Sequence, residues 1–209
     1  MSIAEFAYAQ ARMQARHGRG PDTAAWQLLE ASHTAAHYVA QARSGPLAWW
    51  VEGLDEARDA HHVERHVQAR WLRLVTEVAG WLPPRWAPAT QWFGTLAGLS
   101  LGDAARRGQQ AATEWLETWR ASLPRAAGDR ALLQRPAELL LPRLVQPDRQ
   151  RRSAVAAERR ELLKLFRRHA GSAVAVFAYL ALVALDGERL RGGMVVRVLF
   201  ETAPEAHAA

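Results

Sequence analysis

Cysteine is absent, lysine occurs once (Lys164), isoleucine is nearly missing, and runs of β-branched residues are rare. Without cysteine there are no disulfides, no thiolate chemistry and no cysteine-ligated zinc or iron–sulfur centre. The shortage of β-branched residues, set against abundant Ala, Leu and Arg, favours helix over strand along the whole chain. The most hydrophobic segment, Ala170 to Leu185, carries no charge, falls short of the roughly 20 apolar residues a membrane-spanning helix needs and reads as a buried helix. Met1-Ser2-Ile3-Ala4-Glu5-Phe6 has neither the basic nor the apolar region of a signal peptide, so a soluble, cytoplasmic protein is expected.

What is present is ordinary globular material. Hydrophobic residues make up 49% of the 209 positions, enough for a sizeable core. The net charge of +6 favours acidic partners, but 21 carboxylates are interspersed among the 27 basic residues. The densest basic stretch, Arg149-Gln150-Arg151-Arg152, is echoed at Arg159-Arg160 and Arg167-Arg168. It reads first as a solvated helix face and second as a surface for phosphates.

Helical periodicity and breakers predict an all-α, multi-helix bundle of two helical lobes, with no β-sheet. Helices are expected from Ile3 to His17, from Asp22 or Thr23 to about Arg43, and from Asp55 to about Trp81, where Pro83-Pro84 stops the chain. The second should turn Trp26, Leu29, Ala36 and Val39 or Ala40 inward. Further helices are expected from Ala87 to about Ala97 and from Gln109 to Ser122, with Gly98, Gly102 and Asp103 between them. All nine tryptophans fall at or before Trp119, which makes residues 1–122 a Trp-rich lobe. Residues 123–148, punctuated by Pro124, Pro136, Pro142 and Pro147, read as a connector of short helical pieces. Residues 149–201 read as a helical hairpin, an amphipathic arm followed by a buried helix over 172–199 loosened at Gly192-Gly193, packing on the first lobe. Residues 202–209 read as a frayed tail.

Catalytic and metal motifs are weak. His33 and His37, and His62 and His66, lie four apart, as helical metal ligands do. However, His62-Val63-Glu64-Arg65-His66 misplaces the glutamate of a zinc-protease helix and sets Arg65 against a cation. No glycine loop sits between a strand and a helix, and no nucleophile elbow occurs. No cofactor or metal is expected, and no enzymatic activity. Two other features invite a contact role. Adjacent Trp49 and Trp50 should point their rings in different directions, leaving one at a partner surface. Asp186-Gly187-Glu188-Arg189-Leu190-Arg191 places charge at the end of the most apolar helix, for docking or for an internal ion-pair lock.

The order of these features resembles the C subunit of archaeal and bacterial A/V-type ATPases, subunit d of the eukaryotic V-ATPases. Tyr8-Ala9-Gln10-Ala11-Arg12 is similar to that family's opening Tyr-Ala-x-x-Arg helix, with Gln14 where a second arginine stands. Ala40 to Trp81 is compatible with its long charged helix. Phe177 to Leu185 running into Asp186-Gly187-Glu188-Arg189-Leu190-Arg191 resembles its closing apolar helix and Glu-x-x-Asn-Leu/Ile-Arg sequence, with Arg189 in the asparagine's place. The chain is shorter than a three-lobed member. The resemblance implies a non-catalytic adaptor subunit for proton or sodium transport, peripheral on the inner face of a bacterial membrane. Its partners would be the rotary shaft and the membrane ring, its membrane contact would be indirect, and Asp186 and Arg191 would brace neighbouring helices. Arg12, Trp49, Trp50, Asp186, Glu188, Arg189 and Arg191 are the interaction candidates. The alternative is a basic helical protein that binds nucleic acid or regulates.

Overall fold

The computed structural model describes residues 3–55, 57–96, 107–125, 127–145 and 152–201. Ten α-helices and no strand occur among them, so the protein is all-α. In chain order they are α1 (Ala7–His17), α2 (Thr23–Glu30), α3 (Ala35–Ser44), α4 (Ala48–Val51), α5 (Ala60–Gly80), α6 (Ala87–Gly94), α7 (Gln109–Ser122), α8 (Arg130–Val145), α9 (Arg152–Arg168) and α10 (Ala173–Glu201). Gly98, Gly102, Asp103, the run Arg149-Gln150-Arg151 and the tail 202–209 lie outside the described residues.

Side-chain caps set several boundaries that periodicity misplaces. The single helix expected from Asp22 to Arg43 is two. Asp22 accepts from the Ala25 amide (2.8 Å) to start α2, and Thr34 accepts from the His37 amide (3.2 Å) to start α3. The restart rotates the inward face, so Ala35, Tyr38, Val39 and Ala42 are buried while Ala36 and Ala40 are exposed. Helix α5 begins five residues later than expected because Asp59 accepts from the His62 amide at 2.6 Å, a bond that also holds the Asp59 carboxyl below its usual pKa.

The connector region differs more. In place of short pieces, α8 is one helix with Pro136 and Pro142 inside it. Each proline removes an amide donor, at roughly 3 kcal/mol. The compensation is a buried stripe of Leu133, Ala137, Leu140 and Leu141, spaced as one helix face. Helix α10 likewise runs unbroken through Gly192 and Gly193, where loosening was expected.

The chain forms two compact units that interleave in sequence rather than divide at residue 122. One contains residues 1–15 and 71–185, the other 16–70 and 186–209, so α1, α5 and α10 each contribute to both. In the larger unit, fully buried Phe177 of α10 is ringed by Trp119 (5.0 Å between centroids), Phe93 (5.3 Å) and Trp86 (6.3 Å). Two of the buried indole N–H groups are paired with the backbone: Trp71 donates to the Gly94 carbonyl (2.7 Å) and Trp119 to that of Ala89 (3.0 Å), whereas the Trp86 N–H has no hydrogen-bond partner among the described residues. Pairing a buried donor avoids the desolvation cost that an unpaired one carries.

In the smaller unit, Trp26, Tyr38, Trp50, Val63, Leu190 and Met194 form the core. Gly53, in the left-handed region at φ 79°, ends the turn that follows α4.

Candidate functional site

Most of the expected contact residues meet in the smaller unit, around the last four turns of α10. Two glycines allow the approach. A Cβ at Gly187 would overlap the Trp50 ring, and one at Gly193 would overlap the Tyr38 hydroxyl. Of the Gly192-Gly193 pair expected to loosen the helix, Gly193 is where the Tyr38 ring presses against its backbone, while a Cβ at Gly192 would meet nothing within 4 Å.

Around these contacts every arginine of the segment is engaged. Arg191 donates to Glu188 on its own helix (2.8 Å) and to Glu64 on α5 (3.1 Å), with all three side chains about a quarter exposed. Burial pulls the Arg191 pKa down, but the carboxylates of Glu188 and then Glu64 outweigh it and leave it above its ordinary value. Arg189 pairs with Glu30 of α2 at 2.7 Å and lies 4.3 Å from the centre of the Trp26 ring. Asp186, half-buried, sits one turn before this group.

Arg197 was not foreseen, and it makes the broadest set of bonds. It donates to the carbonyls of Ser32 (2.8 Å), Glu30 (2.9 Å) and Gly193 (2.8 Å) and covers the Tyr38 ring at 4.2 Å. It thereby satisfies carbonyls at and just past the end of α2 that no helical amide can reach. At the far end, Glu201 accepts from the Ala35 amide at 2.6 Å. Tyr38, closed in beneath Arg197, has its pKa pushed up to about 12, chiefly by burial. The signal available in the sequence for these residues was their four-residue recurrence along one helix face, at Arg189, Gly193, Arg197 and Glu201.

The tryptophan pair corrects an expectation. The rings of Trp49 and Trp50 stack (4.3 Å between centroids, 29° between planes), because α4 is a single turn that does not impose divergent helical directions. Trp50 is buried and Trp49 half-buried. The guanidinium of Arg70 lies 5.7 Å from the Trp49 ring and pairs with Glu52 at 2.6 Å. His66, of the second histidine pair, donates from Nε2 to the Trp50 carbonyl at 3.0 Å. His37, of the first, meets Gln41 at 3.2 Å. Among the described residues no group of three or more His, Cys, Asp or Glu is arranged to hold a metal ion.

Arg12, the remaining candidate, belongs to the larger unit, where it reaches Glu77 (3.4 Å) and lies 5.0 Å from the Trp81 ring. It is not part of the α10 group.

The outer side of the last turns of α10 is different in kind. Val196 (50% exposed), Leu199 (56%) and Phe200 (76%) form an apolar stripe at three- and four-residue spacing. Holding a helix rigidly by its inner face while presenting apolar side chains on its outer one is what a contact surface requires. No helix among the described residues is long and apolar enough to cross a membrane. No family model matches the chain, and no curated protein and no solved structure matches it.

Proposed function

We propose that this protein is a non-catalytic helical adaptor that works by contact with other proteins through the end of α10. The observation that carries this reading is the Val196–Leu199–Phe200 stripe on a helix pinned from behind by Arg189, Arg191, Arg197 and Glu201. Exposing three large apolar side chains at one place has a cost in water that a partner would recover. The resemblance of residues 177–191 and 8–12 to the rotary A/V-type ATPase C subunit supports a finer version. In it the chain links a rotary shaft to a membrane ring, in the cytoplasm on the inner face of the membrane.

Purification of the protein at its native level, with identification of what accompanies it, tests both versions. The finer version expects shaft and ring subunits of a rotary ATPase, and Phe200→Glu should remove them from the recovered complex. Recovery as a free monomer from cells with an intact ATPase overturns it. Recovery as a monomer under every native condition overturns the adaptor reading itself.

The second reading, a basic helical nucleic-acid-binding or regulatory protein, draws on the net charge of +6 and the basic residues of α9. It expects DNA or RNA binding that weakens steeply with salt.

A further inference from the structure

Within the larger unit, α8 and α9 border an open groove of about 600 Å³. Its apolar part is Leu132, Ala157 and Leu165; its basic part is Arg160, Lys164 and Arg168, with His169 at one end. The three cations recur every four residues, so a rise of about 1.5 Å per residue sets them about 6 Å apart along one edge. The one acid of the lining, Glu161, is already engaged by Arg135 of α8 at 2.7 Å. Arg160 spends its Nε on the Ala156 carbonyl (3.2 Å). Among the described residues no carboxylate pairs with Arg160, Lys164 or Arg168.

We infer that this groove is a docking site for an acidic amphipathic helix of a partner protein. An occupant helix with carboxylates every four residues repeats the same 6 Å interval, so each acid can face one cation of α9. Its adjacent apolar side chains would cover Leu132 and Ala157, above the buried Leu165, in the helix-in-groove manner. A nucleic acid fits less well. No Trp, Tyr or Phe lines the groove to stack against bases, and a concave channel does not enter the major groove of a duplex. The inference rests on the protein-contact reading but uses a different surface from the α10 stripe, so the two can fail separately.

The test measures fluorescence anisotropy on the full-length chain with three labelled probes. They are a helical peptide of leucine and glutamate, the same peptide with glutamine for glutamate, and a single-stranded DNA oligonucleotide. The acidic peptide should bind, the glutamine peptide should not, and binding should weaken as salt shortens the screening length to about 8 Å. Lys164→Glu with Arg168→Glu should weaken binding about tenfold or more, on exposed positions that leave the helical circular dichroism unchanged. Ala157→Trp, which fills the groove without changing charge, should block binding as well. Phe200→Glu should leave it unaffected. Failure of the acidic peptide to bind at low salt, binding indifferent to both the charge reversals and Ala157→Trp, or tighter binding of the DNA than of the peptide would each overturn the inference.

Discussion

The basic residues of α9 and those at the end of α10 look alike in sequence and behave as opposites in space. On α10, Arg189, Arg191 and Arg197 each spend their guanidinium on a carboxylate or on backbone carbonyls. On α9, Arg160, Lys164 and Arg168 edge an open groove whose acid is taken by Arg135. The first set holds helices together; the second has no carboxylate partner among the described residues. Net charge does not separate these roles. What separates them is whether a partner element brings an acceptor within about 3 Å.

The largest break in this contrast should come from Gly193→Val. The new side chain must displace the Tyr38 hydroxyl, and overpacking of this kind costs about 1–3 kcal/mol, offset only partly by better helix propensity. Gly192→Ala is the control, because a Cβ there meets nothing within 4 Å. It should leave stability unchanged or raise it by up to about 1 kcal/mol. Urea unfolding of the two variants checks both directions, and equal destabilisation would refute close packing at Gly193.

A smaller effect follows from Tyr38. Its hydroxyl titrates near 10 when unfolded and at about 12 when folded, so the folded state holds the proton longer. The stability this contributes is fully present below pH 10 and declines as pH rises from 10 through 12. Tyr38→Phe should flatten that decline relative to the parent chain. Unfolding midpoints measured between pH 9 and 11 decide it, and parallel slopes would refute the shift.

The smallest effect is expected on α9. Lys164→Ala and Arg168→Ala remove exposed charges without a partner among the described residues, so stability should move by no more than about 0.5 kcal/mol. A loss well beyond that would mean these cations serve the fold, and the contrast with α10 would disappear.

Much of the fold is readable from the chain alone. Helix α7 spans Gln109–Ser122 as the tryptophan and alanine spacing predicts, and the expected buried helix over 172–199 is α10, Ala173–Glu201. The misses have local causes. Thr34 and Asp59 act as caps through hydrogen bonds that hydrophobic period does not register. Helix α8 survives two prolines because its buried stripe outweighs two missing donors. The charged group ending α10 was visible as a cluster, and its geometry was not. The acids that Arg191 reaches include Glu64, 127 positions away, and Arg197 completes the end of a helix 165 positions before it.

Composition and period by themselves determined that this protein is helical, because alanine, leucine and arginine favour helix wherever breakers do not intervene and strand-forming runs are missing. Only the tertiary structure decided which arginines are bolts and which remain available. An ion pair forms from the few ångströms between two side chains, and spacing along one helix says nothing about what a distant helix will bring to meet it.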